Sequence, residues 1–168
     1  MRTTLALGLI FTCALAVAQD ETPARFESKE GNYSVQFPGK PAKSTRKAGG
    51  VDLHIAIVEK GTGGFAVIHT DLPAEAVRAA KPKDLLDGGQ RKGLVESFKA
   101  KVTSARDFEF GPEKHPAREL VAEKDQFHLR VRMILAGNRL YQVLVVGPRE
   151  LTASKEADSF FKSFDIAK

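Results

Sequence analysis

Residues 126–148 read QFHLRVRMILAGNRLYQVLVVGP. Two apolar-rich runs flank Gly137-Asn138, a pair suited to the positive backbone angles of a tight turn, so the stretch is predicted to be an antiparallel hairpin of strands 126–135 and 139–146. A regular turn there sets the register: Arg130 opposite Val145, Arg132 opposite Val143, Ile134 opposite Tyr141. Successive side chains point to opposite faces, so Leu129, Val131, Met133 and Leu135 share a face with Leu140, Leu144 and Val146, and Gln142 is its polar exception. That apolar face is the expected main core. Gly147-Pro148 then ends the sheet.

Further strands precede the hairpin. Phe26–Ser28 and Tyr33–Phe37 come first, separated by Gly31-Asn32, and Pro38-Gly39-Lys40-Pro41 ends the second because proline donates no ladder hydrogen bond. Lys43–Lys47, Val51–Val58 and Phe65–Asp71, joined by Gly49-Gly50 and Gly61–Gly64, read as a meander. Lys101–Glu109 and His115–Glu123 complete the strand set. Pro82–Ala100 has helical tendency around Leu85, Leu86, Val95 and Phe98, with Gly88, Gly89 and Gly93 allowing close approach to a sheet at about 1 kcal/mol each relative to Ala. The closing TASKEADSFFKSF places Ala153, Ala157, Phe160, Phe161 and Phe164 on one helical stripe, with Thr152 as the expected N-cap.

The N-terminal MRTTLALGLIFTCALAVA sets Arg2 before an apolar run and ends in Ala16-Val17-Ala18, the small-x-small pattern a signal peptidase accepts. The expected organisation is a signal peptide at 1–18, a polar leader at 19–25 and a single domain at 26–168, secreted or periplasmic after cleavage following Ala18. The run from Leu5 to Val17 is too short to span a bilayer, and no transmembrane segment is expected once it is removed. The single cysteine, Cys13, leaves with it, which excludes a disulfide framework and thiol chemistry in the mature chain. The net charge of +5 comes from bases interleaved with acids, so nucleic acid is not an expected partner.

The strand ending in FPGKP, the meander, NRLYQVLVVGP and the final SFFKSF helix together resemble exported members of the PsbP superfamily, whose relatives include DcrB-like envelope proteins and Ran-binding Mog proteins. The resemblance runs from about Phe26 to Ile166. It implies an α+β fold: a bent antiparallel sheet with helices packed on both faces, a PsbP-like α/β/α sandwich. It also implies a stabilising or adaptor role, with no common catalytic residues to transfer.

The motif content of the chain fits a non-enzymatic reading. There is no GxSxG, HExxH, P-loop or GxGxxG, and Ser44-Thr45-Arg46-Lys47 matches SxxK only in a predicted strand, where i and i+3 point apart. No catalytic or cofactor-binding residue is expected. Two constellations remain. A hairpin centred on Thr62-Gly63 pairs His54 with Asp71 and Ala56 with His69, which puts His54, His69 and Asp71 on one face as ligands for zinc, copper or manganese, or simply as a His–Asp hydrogen bond at a sheet edge. The second is His128, Arg130, Arg132 and Tyr141, lining a surface for an acidic envelope protein or a small anionic ligand. Its alternative is that the arginine stems lie along a covering helix while their heads reach water or a nearby acid.

Overall fold

The computed structural model describes residues 25–87 and 99–167. The expected signal peptide and the second half of the expected 82–100 helix lie outside them. The strands are β1 (Arg25–Ser28), β2 (Tyr33–Gln36), β3 (Ala42–Ala48), β4 (Val51–Lys60), β5 (Gly63–Asp71), β6 (Lys101–Phe110), β7 (His115–Lys124), β8 (Phe127–Ala136), β9 (Arg139–Gly147) and β10 (Asp165–Ile166). The helices are α1 (Ala74–Ala79), α2 (Pro82–Asp87), α3 (Arg149–Thr152) and α4 (Lys155–Ser163).

The strands form two antiparallel sheets where one bent sheet was expected. The larger has the order β3-β4-β5-β9-β8-β7-β6 and the smaller β1-β2-β10. The FPGKP stretch carries the chain from the smaller sheet to the larger: β2 stops at Gln36, Phe37 is fully buried, and β3 opens one residue after Pro41. Among the described residues the helices are few and short, so this part of the molecule is mostly sheet and not a clear α/β/α sandwich. Among the described residues no helix is long and apolar enough to cross a membrane.

The β8–β9 hairpin has the register its turn dictates, with Arg130 opposite Val145, Arg132 opposite Val143 and Ile134 opposite Tyr141. Its core is placed differently. Both faces are buried, and among the described residues the larger cluster lies on the side of the arginines, where Ile134, Tyr141, Val143 and Val145 meet Tyr33, Val35 and Phe37 of the small sheet and its exit. Phe160, Phe161 and Phe164 close this cluster from above, each at most 4% exposed. The face expected to be the main core forms a second cluster, from Leu129, Val131, Met133 and Leu135 to Leu86 of α2. The arginine side receives the second sheet and the phenylalanine helix, which accounts for the size of this cluster among the described residues.

Local details fix the layers. The N-cap of α4 is Ser154, whose hydroxyl accepts from the Ala157 amide at 3.0 Å; Thr152, the expected cap, belongs to α3 instead. A Cβ on Gly63 would come within 2.3 Å of the Val146 carbonyl oxygen, so the start of β5 meets the end of β9 only because no side chain intervenes.

Candidate functional site

The β4–β5 hairpin turns at Gly61-Thr62, with Lys60 opposite Gly63 and Gly61 at φ 58°. The register is therefore shifted by two residues from the expected one: His54 faces His69, and Ala56 faces Val67. Asp71 is not opposite His54. A shift of two keeps every side chain on its expected face, so the histidines still share one, now as direct neighbours.

Their rings stack, with centroids 4.7 Å apart and planes inclined by 12°. Tyr33 meets the His69 ring edge-on at 5.8 Å, and Tyr141 lies 6.4 Å away. His69 is 4% exposed, and neither ring nitrogen has a hydrogen-bond partner. Burial first, then the neighbouring His54 and Arg139, lower its pKa to about 4, so the imidazole is neutral at physiological pH. His54 is more open: its Nδ1 lies 3.2 Å from Glu30 Oε1 and 3.4 Å from Thr45 Oγ1.

Above this pair is a cavity of about 530 Å³ between the two sheets. Phe26, Lys29, Glu30 and Tyr33 line it from the small sheet and its turn, and Lys43, Thr45, His54 and His69 from the large one. Lys43 Nζ reaches across, 4.9 Å from the centre of the Phe26 ring. The turn wall depends on Gly31, where a Cβ would fall 2.5 Å from the Tyr33 ring, and on Tyr141, whose hydroxyl donates to the Gly31 carbonyl at 2.8 Å.

Asp71 has a different engagement. Arg139, its cross-strand neighbour on β9, donates Nε and Nη2 to the two carboxylate oxygens, both at 2.7 Å, and its Nη1 to the Glu30 carbonyl at 2.9 Å. These bonds hold the Asp71 carboxyl below the ordinary carboxylate range and raise the Arg139 pKa. The clamp ties the β1–β2 turn to the large sheet. Among the described residues no group of three His, Cys, Asp or Glu is arranged to hold a metal ion.

His128, Arg130 and Arg132 lie in a row on β8, and Tyr141 on β9 continues the row beyond Arg132. That row runs beneath α4. Arg130 Nη1 donates to Asp158 at 2.7 Å, Arg132 Nε to Glu119 at 2.5 Å, and both guanidiniums lie over the Phe161 ring at 4.6 and 5.0 Å. Tyr141 is 1% exposed, and His128 stands near Glu123. The arginine stems thus run under a covering helix with their heads on acids.

What the sequence did not indicate is the small-sheet wall of the cleft. Glu30, Tyr33 and Phe26 reach the histidines only through the sheet crossing at FPGKP, and residues so far apart in the chain carry no periodic signal of proximity.

No protein-family profile matches the chain, and none of the curated proteins does. Among solved structures it is similar to the cyanobacterial PsbP (CyanoP) of Synechocystis sp. PCC 6803, determined in solution: TM-score 0.61, 14% identity, 93% of this chain and 98% of that one covered. The chain has a PsbP-like fold.

Proposed function

We propose that this protein is an exported accessory domain without catalytic activity, which holds an envelope protein or a small anionic ligand in the cleft where His54 and His69 meet. The observation that carries the reading is His69, a residue of the cleft wall whose two ring nitrogens are buried and have no hydrogen-bond partner. A buried polar atom left without a hydrogen bond costs about 1–3 kcal/mol, a reason to expect that something else engages the ring. Lys29 and Lys43 supply positive charge at the rim. The absence of any catalytic motif and the PsbP-like fold support a binding role over a reaction.

The test is site-specific photocrosslinking in the organism that makes the protein. A photoreactive residue at Thr45, in the cleft, is expected to capture a discrete adduct, and one at Asp125, in the distant β7–β8 turn, none. Equal labelling, or no adduct from Thr45, would overturn the reading. A second reading is the metal-handling protein expected from His54, His69 and Asp71: the neutral state of His69 favours it at the histidine pair, whereas Asp71 is engaged by Arg139 and would not contribute as the structure stands. Stoichiometric zinc, copper or manganese in the purified protein, lost on replacing both histidines, would select it.

A further inference from the structure

The cleft runs between two strand edges. β3 is the outermost strand of the large sheet and β1 of the small one, and among the described residues neither pairs on its outer side. All seven residues of β3 are exposed, and Lys43, Ser44 and Thr45 line the cleft directly. An unpaired edge presents alternating N–H and C=O groups, a template for one more strand. Proteins commonly guard such edges with lysine, and β3 reads AKSTRKA, with three bases and no acid.

That charge selects among occupants. In the antiparallel pairing of β3 with a second copy of itself centred on Thr45, Lys43 falls opposite Lys47, and like charges directly opposite are destabilising. An apolar strand leaves the lysines without partners. An acidic one neutralises them, since Lys43 and Lys47 lie on the same face as Thr45 and His54, four residues apart. Lys47 pairs with Asp52 at 2.9 Å, but the lysine side chain is 83% exposed, and such surface pairs contribute little. We infer that the cleft accepts an extended acidic peptide segment, which adds as a strand to the free edge of β3 with carboxylates opposite Lys43 and Lys47 and an apolar side chain between them, directed toward Phe26 and His54. The inference rests on the cleft being the binding site and names its occupant.

The probe is the blocked heptapeptide Ac-TETVTET-NH2, titrated into the mature protein and followed by amide NMR. Expected are shift changes concentrated in Ala42–Ala48 and at least tenfold slower hydrogen exchange at the outward β3 amides. N-methylation of alternate peptide amides is expected to abolish both, since it removes ladder donors and leaves charge unchanged. The Lys43→Glu/Lys47→Glu variant is expected to bind at least tenfold more weakly and to accept Ac-TKTVTKT-NH2 in place of the acidic peptide, a swap that an unfolded variant cannot show. Binding indifferent to N-methylation, no binding at millimolar peptide, or shifts at His54 and His69 without protection in β3 would overturn the inference. A Thr45 crosslink obtained alongside such a failure leaves the cleft as the binding site and removes only this occupant.

Discussion

Arg132 and Phe161 touch twice: the guanidinium lies 5.0 Å from the ring centre, and its Nη1 donates to the Phe161 carbonyl at 3.2 Å. A strand residue thus holds both the side chain and the backbone of the last helical turn. With Arg130 stacked on the same ring and bound to Asp158, the two arginines anchor α4 to the sheet.

Reversing both charges, Arg130→Glu with Arg132→Glu, sets carboxylates against Asp158 and Glu119. A loss of about 1–3 kcal/mol is expected, less than for a fully buried ion pair because Asp158 is half-exposed and the arginines and Glu119 are only partly buried. Urea unfolding checks it. A midpoint within error of wild type would show that the pairs are idle and free to serve a partner.

Phe160 is 1% exposed and packs against Phe37, Phe65 and Phe161, with ring centroids at 5.2, 5.3 and 5.8 Å. Phe160→Ala is expected to destabilise the protein by about 3–5 kcal/mol. Calorimetry would read this as a large fall in Tm, and a loss below about 1 kcal/mol would mark α4 as peripheral.

His69 gives a pH signature. In the folded protein it protonates only near pH 4, whereas the unfolded chain does so near the ordinary 6.5. Between those values the unfolded state binds more protons, so stability falls as pH falls, by about 3 kcal/mol across the window. Asp71, held low by Arg139, adds its loss further down, within and below the ordinary carboxylate range. His69→Phe is expected to flatten the upper part of the profile and leave the lower part. Unfolding free energies at pH 7, 6, 5 and 4.5 decide it, and an unchanged slope in the variant would show that His69 titrates normally when folded.

If the protein is exported as proposed, processing after Ala18 is expected to give a mature N-terminus at Gln19. Intact-mass measurement on exported protein is expected to find that terminus. A chain starting at Met1, or a lipidated one starting at Cys13, would refute soluble export.

The hairpin around Gly137-Asn138 was legible because turn chemistry and alternation agree there, and the pairs of Arg130, Arg132 and Ile134 follow from them. At β4–β5 the alternation was equally clear, but Gly61, Gly63 and Gly64 offered several turn centres. Close packing of Gly63 against Val146 on the neighbouring strand β9, distant in sequence, chose among them. The histidine face was therefore readable and the histidine partner was not. The second sheet escaped notice because β10 is two residues long and has no pattern of its own; it exists through its pairing with Tyr33 and Ser34. The identity of the larger core likewise depended on which face α4 would cover, which its own stripe of phenylalanines does not specify.

The pairing of β10 with β2 also orders events in time. Ile166 lies opposite Tyr33, the Ala167 amide donates to the Asn32 carbonyl at 3.0 Å, and the Asn32 side chain returns a bond to the Ala167 carbonyl at 2.8 Å. A ribosome or a translocation channel releases Tyr33 long before Ile166. Until the later segment emerges, Tyr33, Val35 and Phe37 have neither their last strand nor the phenylalanine helix to bury them, and contacts this distant in sequence are slow to close. The fold is thus completed late, so a nascent chain stays unlocked until residues 165–167 have emerged and can pair with β2.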